Sequence, residues 1–352
     1  MSFNWIEKNK PALVLAPMEG VTDYPMRTLL TERGGFSYCV AEFLRISQEL
    51  LPKKVYLKHA PELNHGAKTF SQVPVQIQLL GGNAELMAKS AQTAIELGAL
   101  AIDINFGCPA PTVNRNDGGA TLLKYPERIK EIVKAVREAV PSHIPVSAKL
   151  RLGWDNMDSI FTNAKKAQDG GASWITIHAR TKTQGYAPPA HWKYIGEVQK
   201  QLSIPVVANG EIWTLEDFKK CQVETNCEHF MIGRGALANP SLQHQIAHEL
   251  GLPIHSKLSI AAQDLHPIGI EISDWAPLLT RFIDLTKDKS PDTQYTVCRI
   301  KQWLKMANQR RELLWFDEIK KTKSVSDINF ILTRMNEVHH GTTFKNEKNR
   351  LS

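Results

Sequence analysis

The chain of 352 residues has little that would staple it or anchor it. Its five cysteines, Cys39, Cys108, Cys221, Cys227 and Cys298, are an odd number without CxxC spacing. Neither a disulfide framework nor a zinc site is indicated, and no metal is expected. Unpaired thiols suit a reducing compartment, so the cytoplasm is the expected location. No apolar run approaches the ~18 residues of a membrane span. The opening stretch, Met1 to Lys8, lacks the apolar segment and cleavage signal of an exported protein. No GxGxxG follows the first apolar run, which weakens the dinucleotide-binding form of an open doubly wound sheet. Charge of one sign is also scarce: 43 Lys and Arg against 36 Asp and Glu leave +7. That excess permits a polyanionic partner only if it is concentrated somewhere. With 42% apolar and 22% charged residues, disordered, collagen-like and coiled-coil chains are excluded.

What the sequence does have is a rhythm. Eight short apolar runs read as buried parallel strands: Leu13 to Pro17, Tyr38 to Phe43, Val75 to Leu80, Ala101 to Asn105, Val146 to Leu150, Trp174 to His178, Pro205 to Ala208 and Phe230 to Gly233. Helical patterns separate most of them. Glu85 to Leu97 is one, and Pro126 to Val140, opened by a proline, is another. Eight strands alternating with helices predict an α/β chain closed as a (β/α)₈ TIM barrel over residues 1–248. An irregular linker is predicted over 249–274. Helical periodicity then resumes and predicts a small all-helical domain over 275–340, followed by a polar tail at 341–352. From Tyr295 to Lys323 eight cations face three carboxylates, so much of the net charge falls in that domain. Arg299, Lys301 and Trp303 mix cations with an aromatic, as a surface that grips and stacks on RNA would, although Trp303 equally suits a core.

Catalytic groups of such barrels sit at the C-terminal ends of the strands. Here those ends carry Pro17-Met18-Glu19, Glu42, Gln78, Asn105 with Cys108, Lys149 with Arg151, His178 with Arg180, Asn209-Gly210-Glu211 and Gly233-Arg234. Asn105-Phe106-Gly107-Cys108-Pro109 enters a polar loop, Ala110 to Thr121, whose Gly118 and Gly119 let it open and close. Cys108 is there a nucleophile, if its thiol is activated, or a general acid, if it stays protonated; the sequence leaves both open. Gly233-Arg234 after the eighth strand and Asn209-Gly210 after the seventh suit a phosphate. Lys149 suits negative charge on a reduced isoalloxazine ring, and Gln78 a hydrogen bond to it. Flavin mononucleotide fits these features together.

These residues carry a resemblance. Ala16-Pro17-Met18-Glu19-Gly20-Val21-Thr22-Asp23, Asn105-x-Gly-Cys108-Pro109, Lys149-Leu150-Arg151-Leu152-Gly153-Trp154, His178-Ala179-Arg180-Thr181 with Gln184-Gly185-Tyr186, Asn209-Gly210-Glu211-Ile212 and Ile232-Gly233-Arg234-Gly235-Ala236 resemble the tRNA-dihydrouridine synthases. Gly118-Gly119-Ala120-Thr121-Leu122-Leu123-Lys124 and Arg299-Ile300-Lys301-Gln302-Trp303-Leu304 are most similar to the bacterial C-type members.

The resemblance implies an FMN enzyme that uses NADPH to reduce uridine to 5,6-dihydrouridine in the tRNA D-loop, at position 16 for the C-type. It implies hydride transfer from flavin N5 to uracil C6, with Cys108 protonating C5. FMN contacts carry over to Ala16, Pro17, Met18, Gln78, Lys149, His178, Asn209, Gly210, Glu211, Gly233 and Arg234. Contacts to tRNA carry over to Arg45, Asn105, Tyr186, Arg299 and Lys301. A monomer is expected. Two other readings compete: a flavin-dependent dehydrogenase of a small free pyrimidine, and an RNA-binding chaperone that kept the barrel without catalysis. A small substrate does not need the basic helical domain, and a yellow purified protein would count against the chaperone.

Overall fold

The computed structural model describes residues 5–7, 9–254, 272–288 and 294–334. Nine parallel strands make eight staves: β1 (Ala12–Leu15), β2 (Tyr38–Val40), β3 (Leu44–Arg45), β4 (Val75–Leu80), β5 (Ile102–Asn105), β6 (Val146–Arg151), β7 (Trp174–His178), β8 (Val206–Asn209) and β9 (His229–Ile232). β1 pairs with both β2 and β9, and β2 pairs onward with β4, so the sheet closes. This is the predicted TIM barrel, with strand ends shifted by a residue or two. The second stave differs more. Tyr38 to Phe43 is predicted as one strand, but pairing stops at Val40 and resumes at Leu44. In the gap, the buried Glu42 accepts the Val21 amide at 3.0 Å, linking this stave to the loop after β1.

Three helices begin where a side chain satisfies a first amide. Asp23 accepts the Met26 amide to open Tyr24–Glu32, and Asn83 accepts that of Leu86 to open Ala84–Glu96. Thr214 and Asp217 form a reciprocal cap on Leu215–Thr225. Pro126 starts Pro126–Ala139 as predicted.

The barrel interior changes character along its axis. At the N-terminal end Trp5 packs edge-on against Tyr38, with ring centroids 5.0 Å apart, and Tyr38 packs against Trp174 at 6.1 Å. Val14, Val40, Val207 and Met231 complete that plug. Above it the inward side chains turn polar: Gln76, Gln78, Asp103, Asn105, Ser147, Thr176, His178 and Asn209 are all buried. An apolar floor under a polar mouth puts the chemistry at the C-terminal end.

The chain divides into two compact units. One holds the barrel through Gly235 and the helix Leu242–Glu249. The other holds Ala236–Ser241 and the later helices, Ile272–Thr286, Gln294–Asn308, Phe316–Ile319 and residues 325–334. Its core is aromatic: Trp275 lies 5.6 Å from Trp303 and 6.2 Å from Trp315 between ring centroids, and Phe282 lies 5.9 Å from Trp303. Trp303 Nε1 donates to the Leu237 carbonyl at 2.9 Å, so Trp303 is core. The predicted linker 249–274 falls largely, and the tail 341–352 entirely, outside the described residues. Among the described residues no helix is long and apolar enough to cross a membrane.

Candidate active site at the mouth of the barrel

The loop after β5 is folded around Cys108. Asn105 Oδ1 accepts the backbone amides of Gly107 and Cys108, each at 2.9 Å. The Cys108 carbonyl accepts the Ala120 amide and Asn114 Nδ2, both at 3.1 Å. The stretch read as a polar loop, Ala110 to Thr121, therefore contains a short helix, Pro111–Asn114, and the start of a 3₁₀ helix, Gly119–Lys124. Gly119 lets the chain come this close. It sits at φ +59°, and a Cβ there would meet Val113 Cγ1 at 2.8 Å and the Cys108 carbonyl oxygen at 2.9 Å. Arg45 Nη2 closes the outer side with a bond to the Thr112 carbonyl, 3.0 Å long.

The Cys108 thiol is partly buried, and burial raises its pKa; the Ala110 amide and Arg151 oppose the shift without reversing it. A thiol held above its ordinary range is protonated at neutral pH. Of the two roles left open by the sequence, this geometry suits an acid rather than a nucleophile.

Beneath Cys108 runs a buried polar chain. Asn105 Nδ2 donates to Gln78 Oε1 at 2.9 Å, and Gln78 Nε2 to Asp103 Oδ2 at 2.7 Å. Asp103 Oδ1 accepts Ser147 Oγ at 2.5 Å, and Ser147 in turn accepts Gln76 Nε2 at 2.9 Å. Gln78, expected to face a cofactor ring, is fully buried in this chain and fixes Asn105. Asp103 and Ser147 were not singled out from the sequence. The signal was present: in Ile102-Asp103-Ile104-Asn105 the isoleucines alternate with polar residues, which places Asp103 on the same face as Asn105.

Lys149 lies beside this chain, across the strand pair from Asn105. Its Nζ donates to Asn209 Oδ1 at 3.1 Å. Burial and then Arg151 pull its pKa down to about 8, against Asp103 and Cys108, which push it up. His178 is held well below its ordinary pKa by burial and then by Arg151, Lys149, Arg180 and Arg234. It is a neutral imidazole at pH 7, and its buried Nδ1 has no hydrogen-bond partner among the described residues.

The phosphate-type loops close the other side. A Cβ on Gly233 would press on Met18 Sδ at 3.1 Å and Ala16 Cβ at 3.2 Å, so the glycine leaves room for these side chains at the end of β1. The Ala16 amide donates to the Ile232 carbonyl at 2.8 Å, and Thr22 Oγ1 accepts the Met18 amide at 2.7 Å, fixing the Ala16-Pro17-Met18 turn. The fully buried Arg27 donates to the Thr22 carbonyl at 2.7 Å and forks onto Glu62 with two bonds of 2.8 Å. Gly210 at φ +113° passes against the His178 ring. Glu211 is left-handed at φ +61°, and its carboxylate pairs with the buried Arg180 and lies 3.7 Å from Arg234 Nη2. Arg234 also stacks on Tyr186 at 4.6 Å and on Trp213 at 4.8 Å. Tyr186, 54% exposed, meets the His178 ring edge-on at 6.0 Å.

Ala16, Pro17, Met18, Arg45, Gln78, Asn105, Cys108, Lys149, His178, Tyr186, Asn209, Gly210, Glu211, Gly233 and Arg234 thus gather at one end of the barrel. An unpartnered imidazole nitrogen among four cations, beside two glycine-bearing turns, fits an anionic ligand with a phosphate and a flat ring, as flavin mononucleotide has. Arg299 and Lys301 belong to the other unit. Arg299 is 8% exposed and donates to Gln302, while Lys301 Nζ bonds the Thr322 carbonyl.

The family profile described as Dihydrouridine synthase (Dus) matches residues 14–329. The chain is 42% identical over 328 residues to a tRNA-dihydrouridine(16) synthase of Neisseria meningitidis serogroup A, covering 92% of this chain and 95% of the relative. Over 294 residues it is 44% identical to the protein of that name from Pasteurella multocida, covering 83% and 88%. Among solved structures, histamine dehydrogenase from Rhizobium sp. 4-9 aligns with a TM-score of 0.54 at 11% identity. That alignment spans 78% of this chain and 49% of the dehydrogenase, and shows a shared fold.

Proposed function

The chain belongs to the dihydrouridine synthase family, and from that membership we propose that it reduces uridine to 5,6-dihydrouridine in tRNA, at position 16 of the D-loop, with FMN bound at the barrel mouth and NADPH as reductant. The observation that carries the reading is the Cys108 loop, held by Asn105 at a mouth where Lys149 and the unpartnered His178 nitrogen suit an anionic ring-bearing cofactor.

The Ala16–Met18 turn, Gly233 and Arg234, and the Asn209–Glu211 turn hold the phosphate-bearing part of FMN, while Lys149 and His178 face its ring. A bound reduced flavin supplies the electron pair that the C5–C6 double bond takes up. Saturating that bond also needs a proton, and Cys108 Sγ delivers it to C5. Asn105 fixes Cys108 by holding its backbone amide, and Gln78 and Asp103 fix Asn105 in turn. Protonated Lys149 stabilises negative charge that develops beside it, and its burial strengthens that effect. Tyr186 and Arg45, at the rim, meet the incoming nucleotide. A D-loop uridine can be splayed out of the RNA into such a mouth, whereas a paired base would first have to be unstacked at a cost of a few kcal/mol. A tRNA substrate and unpaired thiols support a cytoplasmic location.

Purified protein tests the assignment. It should be yellow, release FMN on denaturation, and oxidise NADPH in the presence of unmodified tRNA while dihydrouridine forms. A colourless protein that binds tRNA without turnover would leave only the RNA-binding reading.

A further inference from the structure

We propose that Lys124, Trp154 and Lys182 form a grip for the phosphate backbone of RNA on the rim of the barrel mouth. The Lys124 ammonium lies 3.8 Å from the centroid of the Trp154 indole, and that of Lys182 lies 4.2 Å from it. Two like charges are thereby held on one half-buried ring, at most about 8 Å apart. The indole attracts each of them, yet it neutralises neither.

Several other lysines of the barrel unit are neutralised locally. Lys89 pairs with Glu85, Lys165 with Asp169, Lys220 with Glu216 and Lys166 with Glu127. Among the described residues neither Lys124 nor Lys182 forms an ion pair. Uncompensated cations of this kind are what a surface uses when it exchanges counterions for phosphates.

The place and stiffness of the cluster point the same way. Trp154 follows β6 and Lys182 follows β7, which end in Arg151 and His178 of the mouth. Lys124 ends the 3₁₀ helix whose Ala120 amide bonds the Cys108 carbonyl. The two loops are laced by three backbone bonds: the Leu152 amide to the Arg180 carbonyl at 3.1 Å, Lys182 to Gly153 at 2.9 Å and Thr183 to Trp154 at 2.9 Å. At Gly153 a Cβ would lie 2.0 Å from the Asn156 carbonyl oxygen, so the turn carrying Trp154 requires glycine. A cation pair on a rigid ribbon loses little freedom when it binds. The basic residues expected to hold RNA, Arg299 and Lys301, each make a bond inside the helical unit. Lys124 and Lys182 add two cations on the loops that frame the mouth.

The proposal rests on tRNA being the substrate. The test is the full-length flavin-bound protein carrying K124E and K182E together, with K124R/K182R as the conservative control. We expect tRNA affinity at physiological salt to fall at least tenfold, and the slope of log K against log salt to become shallower by about one to two. The arginine variant should bind like the parent, and flavin absorbance and the rate of flavin reduction by NADPH should be unchanged in both. Unchanged tRNA affinity and slope, in a preparation whose parent binds tRNA, would overturn the grip and leave the assigned activity standing. A raised KM for NADPH without loss of tRNA affinity would overturn it too, by assigning the cations to the reductant. A parent protein that does not bind tRNA would overturn both the substrate reading and the grip.

Discussion

The Asn105 side-chain oxygen accepts the Cys108 backbone amide at 2.9 Å, while its nitrogen donates to Gln78 Oε1 at the same distance. One buried amide thus joins the reactive loop to the buried polar chain of the mouth. Asn105→Ala removes two bonds to backbone N–H groups, worth about 1 kcal/mol each. Turnover should fall roughly 10- to 100-fold, chiefly in kcat, with the flavin spectrum retained. Single-turnover kinetics on unmodified tRNA measure this, and an effect confined to KM would instead assign Asn105 to base binding alone.

Cys108→Ala should keep FMN and tRNA binding and lose about 10²- to 10⁴-fold in turnover, the usual worth of a positioned acid. Flavin reduction by NADPH should be unaffected, because no proton from Cys108 enters that step. Normal turnover would remove the thiol from the reaction.

Lys149 gives the reaction an alkaline limb. Its pKa is lowered to about 8, so its charge is present below that pH and lost as pH rises through it. Turnover should therefore decline above about pH 8. In Lys149→Arg the charge persists and the limb should move to higher pH. A pH profile of kcat for the two proteins measures the difference, and coincident limbs would separate Lys149 from the step being measured.

His229, at the start of β9, is far from the mouth chemistry but records burial. Desolvation lowers its pKa from 6.5 to about 4, with Glu228 opposing. The folded form takes up the proton less readily than the unfolded form. The stability this contributes is full above pH 6.5 and is lost as pH falls from 6.5 towards 4. The loss amounts to roughly 3 kcal/mol. Thermal unfolding followed between pH 7 and 4.5 should show Tm dropping across that window. His229→Gln should flatten the drop, and an unchanged slope would show that other groups govern it.

Much of the fold was legible because a parallel barrel writes each buried strand as a short apolar run. The second stave was legible only in part, since the break after Val40 is made by the Glu42 bond to the distant Val21 amide, which no local pattern encodes. The site was legible at strand ends, where Cys108, Lys149, His178 and Arg234 stand out as polar residues after apolar ones. The bonds of Gln78 to Asn105 and Asp103 were not legible, because the sequence does not display Asp103 across the strand pair. The burial of Arg299 was legible from its spacing but was not read. The residue sits three residues after Thr296 and four before Trp303, both buried on the helix Gln294–Asn308, and shares their face.

Mapping dihydrouridine in tRNA tests the central claim most directly. In a strain lacking this gene, dihydrouridine at position 16 should disappear while other positions keep theirs. A plasmid copy should restore it, and the same copy with Cys108→Ala should not. Dihydrouridine persisting at position 16, or lost at a different position, would contradict the account.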